Sequence, residues 1–187
     1  VKGVEYCIRG RCKELDIMKW GEFVRFGLTS QGINNTSVPL SFKEAIDESF
    51  MPLLGEVLDL IKKMAADWAE IPMLAKTHGQ PASPTRVGKE FNVFVVRLEE
   101  QIRQFELLTY PAKFGGATGN MNAHKVAYPG IDWISFGNDF VASLGLKRSF
   151  PTTQIEHYDN LATLFDCLRR IDTILIDFAR DIWTYIS

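Results

Sequence analysis

Residues 159–186 constrain the fold more than any other stretch. Leu161, Leu164, Leu168, Ile171, Leu175 and Ile182 repeat at a 3.6-residue period, and Phe165, Ile174, Ile176, Phe178 and Trp183 extend the apolar surface around most of the circumference. A helix apolar on so many sides must be covered on several of them, which points to a bundle. Two more long periodic segments supply covering faces. One runs from Phe42 to about Ala69, opened by a capping box of Ser41 and Glu44 and expected to kink at Pro52. The other runs from about Pro84 to Leu108, with Ser83 as N-cap and proline at the first helical position. A shorter helix is expected over Ile131–Leu144, residues 1–20 read as helical, and no strand pattern competes. The expected class is all-α, a bundle of long helices. Three long helices and a short one cannot surround the last one, so further contacts with other chains or with more of this chain are expected.

Composition narrows the partners. The net charge of -2 and 46% hydrophobic content indicate a globular chain and offer no basic stripe for nucleic acid. Charged residues interrupt every long apolar run, so no membrane span is expected. Cys7, Cys12 and Cys167 are scattered, with no paired CxxC elements and no signal peptide, and read as reduced thiols of a cytoplasmic protein. Cys167 is expected to be a small buried apolar residue. The first six residues resemble the middle of an element and the last six stop without a cap, so a segment of a longer chain is expected.

Polar clusters between the periodic segments are the candidates for chemistry. Thr77-His78-Gly79-Gln80-Pro81-Ala82 lies between the two long helices, and a turn there needs only its Gly and Pro. His78 is either a hydrogen-bonded turn residue or a catalytic one. The run Thr29–Asn35 is either an ordinary turn or a nest of donors for a carboxylate or phosphate, with Thr29 and Ser30 supplying hydroxyls. Gly115, Gly116 and Gly119 interleave with Thr118, Asn120 and Asn122, and a further polar loop over 151–157 carries Gln154. If the two long helices are antiparallel neighbours, His78 and the Thr29–Ser30 pair lie at opposite ends of a helix about 40 Å long. Groups that meet one small substrate cannot be that far apart, so a site containing both must be built between subunits, which predicts a homo-oligomer.

The segments TSQGINN (29–35), THGQPASPT (77–85), GGATGNMNAH (115–124), TTQIEHYDNLATLFDC (152–167) and ILIDFARDIW (174–183) together resemble the bacterial-type adenylosuccinate lyases of the fumarase/aspartase superfamily. The resemblance covers nearly the whole chain in order. THGQPA points only to the superfamily, whereas TTQIE and the helix after it are specific to these lyases. It implies an all-α homotetramer whose active sites take residues from three subunits. It also implies elimination of fumarate from adenylosuccinate, giving AMP, and from the succinylated aminoimidazole carboxamide ribotide of purine biosynthesis, with no metal or cofactor. By position His78 matches the general acid and Thr77 a substrate contact beside it. Thr29 and Ser30 match residues that hydrogen-bond the substrate, Gln154 matches a substrate-binding glutamine, and Asn120 falls in a loop close to the site. Residues 1–40 would then end an N-terminal helical domain and carry the Thr-Ser loop, and 41–187 would form part of the central bundle.

The sequence departs from the family pattern in three respects. The motif resembling GSSxMPHKxNP, which carries the family's catalytic serine, does not occur in it, nor do the phosphate-binding arginines and the histidine-aspartate pair expected before Val1. Gly32 stands where an Asp is usual, and Arg25 where a His is common. Another lyase of the superfamily, such as an argininosuccinate lyase or a fumarase, and a non-catalytic helical scaffold remain as alternatives. His124 and His157 read as structural.

Overall fold

The computed structural model describes residues 1–186 and is 66% helical with 9% strand, an all-α architecture with short strand pairs. Its helices are α1 (Lys2–Glu14), α2 (Ser30–Ala45), α3 (Met51–Asp67), α4 (Val87–Glu106), α5 (Asn122–Ala127), α6 (Trp133–Ser143) and α7 (Asp159–Ile186). An antiparallel pair, β1 (Pro72–Thr77) and β2 (Gln80–Arg86), joins α3 to α4. The parallel pair β3 (Pro111–Ala112) and β4 (Lys147–Arg148) closes the segment around α5 and α6. The chain divides into two compact units, one of Val1–Lys43 with Thr109–Leu161, the other of Glu44–Leu108 with residues from 162 onward.

In the second unit α3, α4 and α7 bury Leu58, Ile61, Phe94, Leu98, Cys167 and Ile171. The rings of Phe91 and Phe94 meet Phe178 at 5.5 and 5.2 Å. Leu53, Leu60, Val96, Ile176 and Trp183 are exposed, so each of the three helices also carries an apolar face outward. Cys167 is buried as expected. In the first unit Phe114, Met121, Trp133, Val141 and Leu146 form the core around Ala112.

Four sequence-based expectations need correcting. The first concerns the helix expected from Phe42, which begins twelve residues earlier. Ser41 lies inside α2 and caps nothing; the cap is Thr29, whose Oγ1 accepts from the Gly32 N–H at 3.0 Å. Asn34, Asn35, Thr36 and Ser37 are poor helix formers, and packing overrides their preference. Asn35 is fully buried: its Nδ2 donates to the Tyr158 hydroxyl at 2.6 Å, and its Oδ1 accepts from the Glu156 N–H at 2.8 Å. Pro39 in the same helix has no N–H for the Asn35 carbonyl, and the Lys113 N–H fills that position at 3.2 Å. Ahead of Pro52 the helix widens into a π turn over Ile46–Phe50, which accommodates the ring.

Second, a hairpin stands where a plain helix-to-helix turn was expected. Pro81 and Pro84 push the residues before them into extended backbone, so Ser83 and Pro84 lie in β2, and the helix starts at Val87 without a side-chain cap. Third, the statement that no strand competes fails for the same segment. Fourth, helical spacing along the sequence pairs Glu99 with Arg103, Asp166 with Arg170 and Asp177 with Arg180, and the structure replaces these pairings with others. Glu99 pairs with Lys62 at 2.8 Å rather than Arg103, and Asp177 with Arg97 at 2.9 Å rather than Arg180. Asp166 pairs with Arg169 at 3.1 Å, which leaves Arg170 to donate to Gln101 at 2.7 Å.

Truncating Asn35 to alanine leaves the buried Glu156 N–H and the Tyr158 hydroxyl without their Asn35 partner. We expect a loss of about 2–3 kcal/mol in urea unfolding of the full-length protein, and no loss would mean that solvent replaces both bonds.

Candidate active site

Thr29 and Ser30 form a helix N-terminus rather than a loop. Thr29 caps α2, Ser30 opens it with an exposed hydroxyl, and the helix dipole adds partial positive charge there, an arrangement that suits a carboxylate. The approach to the cap is tightly turned, with Arg25 at φ 67° and Gly27 at φ 72°. The Arg25 guanidinium pairs with Glu5 at 2.9 Å and donates to the Leu28 carbonyl at 3.3 Å, so it braces the turn. Gly32 is not needed for its backbone: an added Cβ meets only the Thr29 Oγ1 at 3.4 Å and Leu28 Cδ2 at 3.5 Å, ordinary contacts. Gly32→Ala should therefore stabilise the protein by about 0.5–1 kcal/mol through helix propensity. A lowered melting temperature would show that the first turn of α2 is more crowded than this.

Two other loops lie in the same unit. Residues 115–120 fold tightly, Gly115 against Gly119, and Gly119 in turn lies against the Thr152 and Thr153 carbonyls. This packing brings the loop of Asn120 beside the loop of Gln154, with both side chains exposed. Lys113 ties them from beneath: its side chain is fully buried, and its ammonium donates to the Gly116 carbonyl and, at 2.8 Å, to the Gln154 carbonyl. No carboxylate lies within 4.0 Å of it among the described residues, and burial pushes its pKa down. Glu156, also buried, closes the second loop by accepting from the Ser149 hydroxyl at 2.8 Å and from the Tyr158 N–H.

His124 links the Gly-rich loop to the Thr29 turn. Its Nε2 lies 2.7 Å from the Gly27 carbonyl, which only accepts, so Nε2 carries the hydrogen, and the buried Nδ1 has no hydrogen-bond partner among the described residues. The ring sits edge-on between Phe114 and Trp133, at 5.5 and 4.8 Å. Beside it opens a cleft of about 310 Å³ lined by Phe26, Thr29, Gly116, His124, Tyr128 and Trp133.

Thr77 and His78 belong to the other unit. They sit at the end of the hairpin, where Thr77 pairs with Gln80 and the two residues between them, His78 at φ 54° and Gly79 at φ 74°, make the left-handed turn that suits a two-residue hairpin. Both side chains are exposed. Of the six sequence-derived site residues, Thr29 and Ser30 at the start of α2 and Asn120 and Gln154 on adjacent loops therefore lie in one unit, and Thr77 and His78 lie together in the second. Sequence reasoning missed Lys113, Asn35 and Glu156 and set His124 aside. The signal for Lys113 was a single cation inside the apolar run Tyr110–Phe114.

The model of a protein family described as Lyase matches residues 3–187. Adenylosuccinate lyase of Dictyostelium discoideum is 54% identical over 193 residues, and that of Escherichia coli K12 45% identical over 188; each alignment covers 100% of this chain and 41% of the relative. The chain thus spans less than half the length of these relatives. Among solved structures, fumarate lyase from Mesorhizobium sp. BNC1 superposes with a TM-score of 0.75 at 20% identity, covering 89% of this chain and 38% of that one. The 3-carboxy-cis,cis-muconate lactonizing enzyme from Pseudomonas putida gives 0.76 at 23% identity, covering 96% and 39%. These two establish the fold, and the family match establishes the lineage: the chain belongs to the lyase family and aligns over its whole length with adenylosuccinate lyases.

Proposed function

We propose that this chain is the part of an adenylosuccinate lyase that holds substrate and supplies the acid. The observation that carries the reading is the end-to-end similarity at 54% and 45% identity to adenylosuccinate lyases. The start of α2 at Thr29 and Ser30, with the loops of Asn120 and Gln154 in the same unit, supports it. The reaction eliminates fumarate from adenylosuccinate to give AMP, and from the succinylated aminoimidazole carboxamide ribotide, without metal or cofactor. A base removes the proton next to a carboxylate, the carbanion is held as an aci-carboxylate, and the C–N bond breaks as an acid protonates the departing nitrogen. His78 is that acid, with Thr77 contacting substrate beside it. Thr29 and Ser30 hold a substrate carboxylate at the start of α2, and Gln154 and Asn120 make further substrate contacts. The base is the serine of the family's GSSxMPHKxNP-like motif, which these 187 residues do not contain.

The working form in this reading is a cytoplasmic homotetramer with sites shared between subunits. Residues 1–40 end an N-terminal helical domain and 41–187 form part of the central bundle. The outward apolar faces of α3, α4 and α7 support the assembly; among the described residues, no helix is long and apolar enough to cross a membrane. Fumarate release from adenylosuccinate, followed by absorbance, tests the reading. The full-length protein should release fumarate and the 187-residue chain alone should not. A full-length protein that is folded and oligomeric, yet acts only on argininosuccinate or hydrates fumarate, would sink the assignment.

A further inference from the structure

We propose that Lys113 is a positioning residue, acting through the main chain of Gln154. The inference rests on the reading of Gln154 as a substrate contact and adds a residue to it. Lys113 is 0% exposed, yet it is a cation with no carboxylate within 4.0 Å among the described residues. Burying an ammonium without a counter-ion is unfavourable unless its N–H groups are fixed on acceptors. Here the acceptors are the carbonyls of Gly116 and Gln154, on two loops that sequence separation alone would leave free to drift.

An apolar side chain of similar length would fill the same space without that cost. What the ammonium adds is a fixed spacing between the two loops. The Gln154 side chain is exposed, and its own loop makes its main-chain tie to Lys113 at 2.8 Å. The next anchor on this loop is the Glu156 N–H on Asn35 Oδ1 at 2.8 Å, two residues on. Gln154 is thus held between a cation beneath it and a buried amide just after it. A side chain that must reach substrate from a loop needs its backbone fixed to a fraction of an ångström, because a misplacement of about 1 Å can cost about 10²-fold in rate.

The test is a double-mutant cycle on kcat/KM in the full-length oligomer, using Lys113→Met, Gln154→Ala and the pair. Lys113→Met should lower kcat/KM by about 10- to 100-fold. In the Gln154→Ala background the same change should cost less than about 3-fold, because its route to substrate is already gone. Effects that multiply independently, or a Lys113→Met protein with a lowered melting temperature and unchanged kcat/KM, overturn the proposal. Should Lys113→Met fail to fold, Lys113→Gln, a shorter and uncharged side chain that still carries N–H donors, runs the same cycle with the same criteria. If Gln154→Ala alone leaves kcat/KM unchanged, the proposal falls while the lyase reading stands. A wild-type protein that releases no fumarate sinks the lyase reading itself.

Discussion

Replacing His78 with glutamine in the full-length oligomer should lower turnover by about 10²–10⁴, the usual contribution of a general acid, with a much smaller change in substrate affinity. Glutamine keeps the size and hydrogen-bonding reach of the imidazole and removes the transferable proton. Stability should hold, because His78 is exposed at the end of a hairpin. One complication is the backbone: His78 sits at φ 54°, where asparagine is better tolerated than glutamine. His78→Asn therefore serves as the companion variant, conserving the turn while losing the acid. Both variants should be slow. A fast Asn variant beside a slow Gln variant would assign the loss to turn geometry, and unchanged turnover in both removes His78 from the mechanism.

The sequence disclosed some of this molecule and hid the rest for identifiable reasons. The helix Asp159–Ile186 was legible end to end because its apolar period is unbroken over 28 residues. The start of α2 was not. Thr29–Ser37 has the composition of a turn, and its helical state depends on bonds from Asn35 to residues more than a hundred positions away. The hairpin around His78 was hidden by composition: its strands carry Pro72, Pro81 and Pro84, and strand propensity is easily overridden by context. The ion pairs were misplaced because i, i+4 spacing ignores neighbours on other helices, as Lys62 with Glu99 shows. For the site, the polar residues were visible as types out of place in turns. What supports them was not visible, since Lys113 and Asn35 act through main-chain atoms that no motif marks.

Gly119→Ala should be among the most damaging single-methyl changes in the first unit. A Cβ at this position would lie 2.0 Å from the Thr152 carbonyl oxygen and 2.8 Å from that of Thr153, both backbone atoms with no rotamer to retreat into. The residue also sits at φ 83°, left-handed backbone that costs an L side chain about 1–2 kcal/mol. Prising the loops apart adds an overpacking cost of about 1–3 kcal/mol. We expect full-length Gly119→Ala to lose about 3 kcal/mol in urea unfolding, the sum of those two effects, and kcat/KM to fall with it as Asn120 and Gln154 separate. Gly130→Ala is the control, since nothing lies within 4 Å of its added Cβ; it should stay within about 0.5 kcal/mol of wild type. Equal stability in the two variants would mean that the loops do not meet at Gly119, and Asn120 and Gln154 would then have no reason to act on one substrate.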